Sequence, residues 1–291
     1  MKVFVTGASG FIGSAVVKEL IDAGHQVIGL ARSSGSSALI TNAGAEVLMG
    51  TLDDLDVLKQ GAARADAVIH TAFIHDFTQY ANANEADKAA INAMAEALVG
   101  THKPIVVTAG ILGLPAVNGI VTEESVSQNS PRSSEATARI WAEKGVKASV
   151  VRLPPSVHDK GDKGFVPFII HQARKNGASA YPGDGNNRWP AVHRLDAAKL
   201  FRLAVEKPST GALYNAIGDT GITLKEIASL IGALLKLPVV SVSGEDITKH
   251  FGWMSMFIGH DSPATSAMTQ EQLGWKPKHI GLLDDLRKNY F

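Results

Sequence analysis

Residues 5–13 read VTGASGFIG, which sets Gly7, Gly10 and Gly13 three apart between the apolar run 3–6 and a helical stretch that continues Ala15-Val16-Val17. Each glycine has a separate physical use in such a loop. Gly7 lets the chain turn sharply out of a strand, Gly10 without a Cβ lets a pyrophosphate approach the backbone, and Gly13 lets the helix lie close on the sheet. The first N–H groups and the dipole of that helix then face the phosphates. Three glycines alone make only a tight turn; a strand before them and an amphipathic helix after them make the dinucleotide reading.

Outward from this loop the chain alternates short β-branched runs with helical stretches. Strands are expected over 3–6, 26–30, 46–49, 67–71, 105–108 and 148–153. Helices are expected over 11–23, 54–62, 84–99 and 131–144, with Ser130 as N-cap and Pro131 at the first position of the last one. Short strands that are apolar throughout and separated by helices predict an α/β fold, a Rossmann-type doubly wound parallel sheet covered on both faces. Residues 33–37, rich in serine, read as a mobile surface loop. After Leu153-Pro154-Pro155 the rhythm breaks, Gly and Pro become frequent, and a helix over 223–235 is followed by a short strand over 239–242. The expected organisation is a nucleotide-binding domain over 1–155, to which 190–218 return, and a smaller α+β substrate-binding region over 156–291. Ligands of open α/β sheets bind at the carboxyl edge of the strands, so the smaller region is expected to complete a small-molecule pocket there.

Composition narrows the function classes. Lys+Arg and Asp+Glu each total 28, so no global field draws nucleic acid or an anionic membrane. There are no cysteines, which removes disulfides, thiolate nucleophiles and cysteine-ligated metal. The histidines lack the spacing of a zinc helix, and no metal site is expected. The chain starts directly on a strand and has no apolar run near the ~20 residues of a bilayer span, so a cytoplasmic location is expected. A homo-oligomer is compatible with all of this.

The spacing GxxGxxG, with TGASGFIG, ADAVIH, VVRLPP, VHRLDAA and LGWKP at the corresponding places, resembles the extended branch of the short-chain dehydrogenase/reductase superfamily, which includes the NAD-dependent epimerase/dehydratase family. The resemblance covers nearly the whole chain. It implies a nicotinamide dinucleotide, with Ser9, Phe11 and Ile12 joining the three glycines around it. NAD-binding members carry an acidic residue at the end of the second strand. Here that position is Ala31, followed by Arg32 and Ser33, a guanidinium and a hydroxyl suited to a 2′-phosphate. NADP is therefore expected over NAD; the competing reading makes Arg32 an ordinary solvated residue. The resemblance further places Thr51 and Leu52 beside the adenine, Ala72, Phe73 and Thr108 along the ribose and nicotinamide, and Pro154 on the far side of the nicotinamide. Asp53 and Asp54 are alternatively caps of the following helix.

The superfamily's catalysis uses a Tyr-x-x-x-Lys pair at the start of the helix after the fifth strand, where lysine lowers the phenol's pKa. This helix opens SPRSSEATARIWAEKG, and no tyrosine lies between Tyr80 and Tyr181, so the pair is absent. The hydroxyl of relatives at the fifth strand's end falls on Gly110. Ser134 and Glu135 stand at the right helix start, and His75 and His158 are expected to face the cleft with imidazoles suited to proton transfer; each is equally readable as a structural residue. Arg188 resembles the arginine that grips a sugar-nucleotide pyrophosphate, one residue out of place relative to His193. His193 and Asp196 read as structural. Three functions remain open: an NADP-dependent oxidoreductase on a small carbonyl or alcohol, a nucleotide-sugar epimerase or dehydratase, and a non-catalytic NADP sensor.

Overall fold

The computed structural model describes residues 1–74, 79–127 and 132–291. In chain order the elements are β1 (Lys2–Thr6), α1 (Phe11–Asp22), β2 (Gln26–Ala31), α2 (Ser34–Asn42), β3 (Glu46–Met49), α3 (Leu55–Arg64), β4 (Ala67–His70), α4 (Tyr80–Glu96), β5 (Pro104–Gly110), α5 (Ser134–Glu143), β6 (Lys147–Leu153) and β7 (Ser156–His158). They continue with α6 (Phe165–Asn176), β8 (Ser179–Pro182), β9 (Arg188–His193), α7 (Arg194–Glu206), β10 (Leu213–Asn215), β11 (Asp219–Thr223), α8 (Leu224–Leu235), β12 (Val239–Val242), α9 (Glu245–Phe251), α10 (Ser255–Ile258), α11 (Ala267–Leu273) and α12 (Leu282–Asn289).

Seven parallel strands form the main sheet in the order β10-β6-β5-β4-β1-β2-β3. This is the Rossmann-type arrangement. β1 pairs with both β2 and β4, so the strand order reverses there and a crevice opens at the carboxyl ends of β1 and β4. One face is packed by α1 and α7 through Val16, Leu20, Ala198 and Phe201, and the other by α3, α4 and α5 through Leu58, Ile91, Met94 and Trp141. Full burial of a side chain such as Leu20 or Ile28 contributes about 1.5–3 kcal/mol.

Residues 188–215 divide between the two parts of the molecule. β9 lies in a three-stranded sheet β11-β9-β7, while α7 returns against α1 and β10 becomes the edge strand beside β6. A two-stranded sheet β12-β8 and the helices α6, α8, α9 and α12 complete the smaller region around Trp189, Ile227, Phe251 and Leu286. α8 begins at a reciprocal cap, Thr223 accepting from Glu226 N while the Glu226 carboxylate accepts from Thr223 N.

Three local expectations are corrected. Residues 34–42, expected to start in a loop, are helical, because Ser33 Oγ accepts Ser36 N at 3.2 Å and caps the turn. Asp54 stands at the N-cap of α3 and its carbonyl accepts Leu58 N, but its side chain does not cap the helix; the carboxylate reaches back to Thr51 N at 2.7 Å and Thr51 Oγ1 at 3.0 Å. α4 begins at Tyr80, four residues earlier than its apolar periodicity suggests. Ser130 and Pro131 lie outside the described residues.

Candidate functional site

The glycine loop closes the crevice between β1 and α1. Gly7 has φ of 69°, and a Cβ there would stand 2.7 Å from Ala72 N. A Cβ on Gly13 would stand 2.0 Å from Gly7 O, so strand and helix meet backbone to backbone. Gly10 is different: its Cβ would meet only Gly7 O, at 3.1 Å, and otherwise project into open space. Gly10 is also the N-cap of α1, with no side chain capping the helix and no acidic residue in its first turn. The loop therefore fits a dinucleotide: two glycines are needed by the protein's own packing, and the third leaves room for a phosphate beside bare helical N–H groups. Ser9, Phe11 and Ile12 are half-buried along its rim. The Arg194 guanidinium lies 4.7 Å over the Phe11 ring and binds Asp159 at 3.0 Å, pinning the loop to the smaller region.

Around the loop, the other expected cofactor residues occupy the carboxyl ends of adjacent strands. Ala31 is fully buried, while Arg32 and Ser33 are exposed just past β2. Ser33 Oγ is engaged at the start of α2, which leaves Arg32 as the side chain projecting there. Thr51 is exposed and Leu52 packs on the core. Ala72 N donates to Thr6 Oγ1 at 3.4 Å, Phe73 follows half-buried, and Pro154 is buried at the end of β6. Thr108 is buried with its hydroxyl donating to His70 O at 2.7 Å.

The described candidate proton carriers, His158, Glu135 and Ser134, are each engaged by a partner within the protein. His158 does not face the cleft as expected: β7 pairs with β9, and the ring is fully buried with Nδ1 2.8 Å from Asp285 Oδ2 on α12. Glu135 binds Arg152 with both oxygens at 2.7 Å. The same fully buried guanidinium caps the carbonyls of Thr122, Glu123 and Ser125, so this pair ties the 122–125 segment to the sheet. Ser134 Oγ donates to Asp87 Oδ2 at 2.5 Å. His75 lies outside the described residues. Arg188 is gripped by Asp261, Nε and Nη2 at 3.0 and 2.9 Å, so its charge is answered within the protein. Among the described residues no three His, Asp or Glu side chains gather as a metal site requires.

Residues 3–100 match the family model of the NAD dependent epimerase/dehydratase family. The uncharacterized protein C2A9.02 of Schizosaccharomyces pombe is 48% identical over 100% of both chains. The 2-alkyl-3-oxoalkanoate reductase of Stenotrophomonas maltophilia is 28% identical, over 73% of this chain and 67% of its own. Among solved structures, MoeE5 in complex with UDP-glucose and NAD superposes with a TM-score of 0.78 at 22% identity, over 99% of this chain and 97% of that one. The chain belongs to the NAD-dependent epimerase/dehydratase family.

This epimerase/dehydratase-family chain also carries a buried polar relay that sequence reading passed over. Thr6 Oγ1 lies 2.7 Å from His70 Nδ1, His70 Nε2 lies 3.0 Å from Asp87 Oδ1, and Asp87 Oδ2 meets Ser134, whose Oγ accepts Arg132 Nε at 2.8 Å. Burial alone would push the Asp87 carboxyl up, but His70, Arg132 and Ser134 together bring it below the ordinary carboxylate value. Asp87 accepts from His70 Nε2, and in the tautomer with Nε2 alone protonated Nδ1 accepts from the Thr6 hydroxyl. The relay runs from the residue before Gly7 across β4 and α4 to the start of α5. A signal for it existed: Asp87 sits on the buried stripe of Ala83, Ala90, Ile91 and Met94, where a carboxylate needs partners.

Proposed function

We propose that this protein is an NADP-dependent oxidoreductase that interconverts a small, uncharged carbonyl and its alcohol. The observation that carries the reading is the glycine loop, whose central residue faces nothing but Gly7 O within 4 Å beside a helix start with no side-chain cap. Gly7, Ser9, Gly10, Phe11, Ile12 and Gly13 would hold the pyrophosphate, and Arg32 the 2′-phosphate, with Ser33 beside it as the cap of α2. Thr51 and Leu52 would border the adenine, and Ala72, Phe73, Thr108 and Pro154 the ribose and nicotinamide. When bound, the cofactor supplies a hydride at its nicotinamide ring.

An uncharged substrate is favoured by what the smaller region offers. Leu112, just past the end of β5, packs on the same cluster as Phe165, Phe168, Trp253 and Phe257. These rings contact one another with centroids 4.8–5.8 Å apart. An apolar cluster that reaches the end of β5 would suit an aryl or alkyl ketone bound there. Arg188 is paired with Asp261 in an exposed ion pair, so a sugar-nucleotide pyrophosphate would have to compete with that carboxylate for it. The reductase among the relatives acts by its name on an oxoalkanoate, which supports reduction of a ketone; that substrate carries a carboxylate, so the uncharged character rests on the apolar cluster alone.

The test is a turnover screen with NADPH against uncharged ketones and aldehydes, and against nucleotide sugars with bound cofactor. Oxidation of NADPH matched by alcohol formation is expected. A nucleotide-sugar product with no net cofactor turnover, or no turnover of either class, overturns the reading.

A further inference from the structure

Reducing a carbonyl requires a proton as well as a hydride, and His158, Ser134 and Glu135 each have another partner. The side of the crevice formed by β4, α4 and α5 brings three other groups together. Phe73 leaves the end of β4, Tyr80 opens α4, and Arg132 stands two residues ahead of α5. The Arg132 guanidinium carbon lies 4.1 Å over the Phe73 ring, and the Phe73 and Tyr80 ring centroids are 6.1 Å apart. Tyr80 stands one helical turn before Asn84, whose Oδ1 and backbone carbonyl oxygen accept from Ser133 N and Oγ at 3.4 and 3.5 Å. These bonds tie the first turn of α4, which Tyr80 opens, to the head of α5. Asn84 also hydrogen-bonds the phenol, and Arg132 and Asp87 act on it through space.

We propose that Tyr80 is the proton donor of the reaction and that Arg132 is the fixed cation that stabilises the phenolate it leaves. This rests on the oxidoreductase reading. The carbonyl carbon accepts a hydride, with its electron pair, from the reduced nicotinamide. The carbonyl oxygen takes the proton of the Tyr80 hydroxyl as the C=O π pair moves onto it. The ketone is reduced to the alcohol, the cofactor is oxidised, and the phenolate regains a proton from water. Burial outweighs the pull of Arg132 and Asn84 and holds the Tyr80 phenol above its ordinary value, so it is present as the acid at neutral pH. Arg132 is positioned for its part because its Nε is fixed on Ser134 Oγ, and Ser134 in turn on Asp87. The relay from Thr6 to Arg132 thus ties the proton donor's cation to the strand that precedes the cofactor loop.

The test uses the full chain with its tyrosines labelled at the ring carbon bearing the hydroxyl; there are four, and Tyr80→Phe assigns the signal. Addition of NADP+ should shift the Tyr80 resonance, and Arg132→Gln should move its titration to higher pH while Arg132→Lys largely preserves it. With a ketone found by the turnover screen, Tyr80→Phe should lower kcat by ~10²-fold or more with NADPH affinity unchanged. A Tyr80 resonance indifferent to bound cofactor, or a Tyr80→Phe protein that turns over at the unmodified rate, overturns the proposal and leaves the oxidoreductase reading standing. Failure of the unmodified protein to bind a nicotinamide dinucleotide, or to turn over any ketone, instead defeats the reading on which it rests.

Discussion

At the end of β2 a buried Ala31 hands the chain to an exposed Arg32, where an acidic side chain would otherwise accept the ribose hydroxyls. An exposed guanidinium favours a phosphate there through a charge-assisted hydrogen bond. Arg32→Ala should therefore narrow the preference for NADPH over NADH by ~10-fold, about 1.4 kcal/mol, as read from paired dissociation constants. Glu135 shows the opposite kind of residue. Its carboxylate neutralises a fully buried Arg152, and removing one partner of a buried pair strands the other charge. Glu135→Ala should cost about 3–5 kcal/mol in denaturant unfolding while the folded protein keeps its affinity for cofactor. A loss of cofactor affinity with unchanged stability would instead make Glu135 a site residue.

The β1–α1 unit separates a glycine required by packing from a glycine kept open to a ligand. Gly10 is extended, with φ of −75° and ψ of 172°, a conformation valine adopts readily. Gly10→Val should still fold, with at most a small drop in melting temperature from its 3.1 Å contact with Gly7 O, and fail to bind dinucleotide, while Gly13→Val should fail to fold because its Cβ would collide with Gly7 O. A Gly10→Val protein that still binds cofactor would remove the loop from the site. This unit was also the most legible part of the chain, because glycine spacing, strand and helix all lie within residues 2–22. Legibility fell where a role depends on contacts distant in sequence. His158 reads as a cleft histidine from its neighbours, yet its fate is decided by Asp285, 127 residues away. Tyr80 and Arg132 carry no motif, and only the packing of α4 on α5 brings them to one place. The helix α2 was missed because its serines read as loop, although one of them is its cap.

Across the whole molecule, a histidine-lined seam joins the main sheet's α7 to the smaller region. His193 stacks on His279 at 4.5 Å, meets His158 edge-on at 5.4 Å, and faces Asp159, with Arg194, Asp196 and Asp285 close by. Its Nδ1 accepts Leu195 N at 3.2 Å, which requires the neutral ring. Burial, with the neighbouring histidines and against the pull of Asp159, holds His193 below its ordinary value of 6.5, and burial does the same to His250. In the folded state these rings bind protons less readily than in the unfolded chain, so their contribution to stability is intact above about pH 6.5 and is lost as pH falls below that value toward the folded-state pKa. Unfolding followed at pH 7.5 and below pH 6 should show this loss, and His193→Gln should flatten it; an equal slope in both proteins would place the sensitivity elsewhere. The seam holds the smaller region over a crevice whose occupant is the central claim, and that occupant can be measured directly. Calorimetric titration of the unmodified protein with NADPH and then NADH should give saturable binding of both, at least ~10-fold tighter for NADPH, about 1.4 kcal/mol. Equal affinities would contradict the assignment of NADP, and the absence of any binding would contradict the dinucleotide site itself.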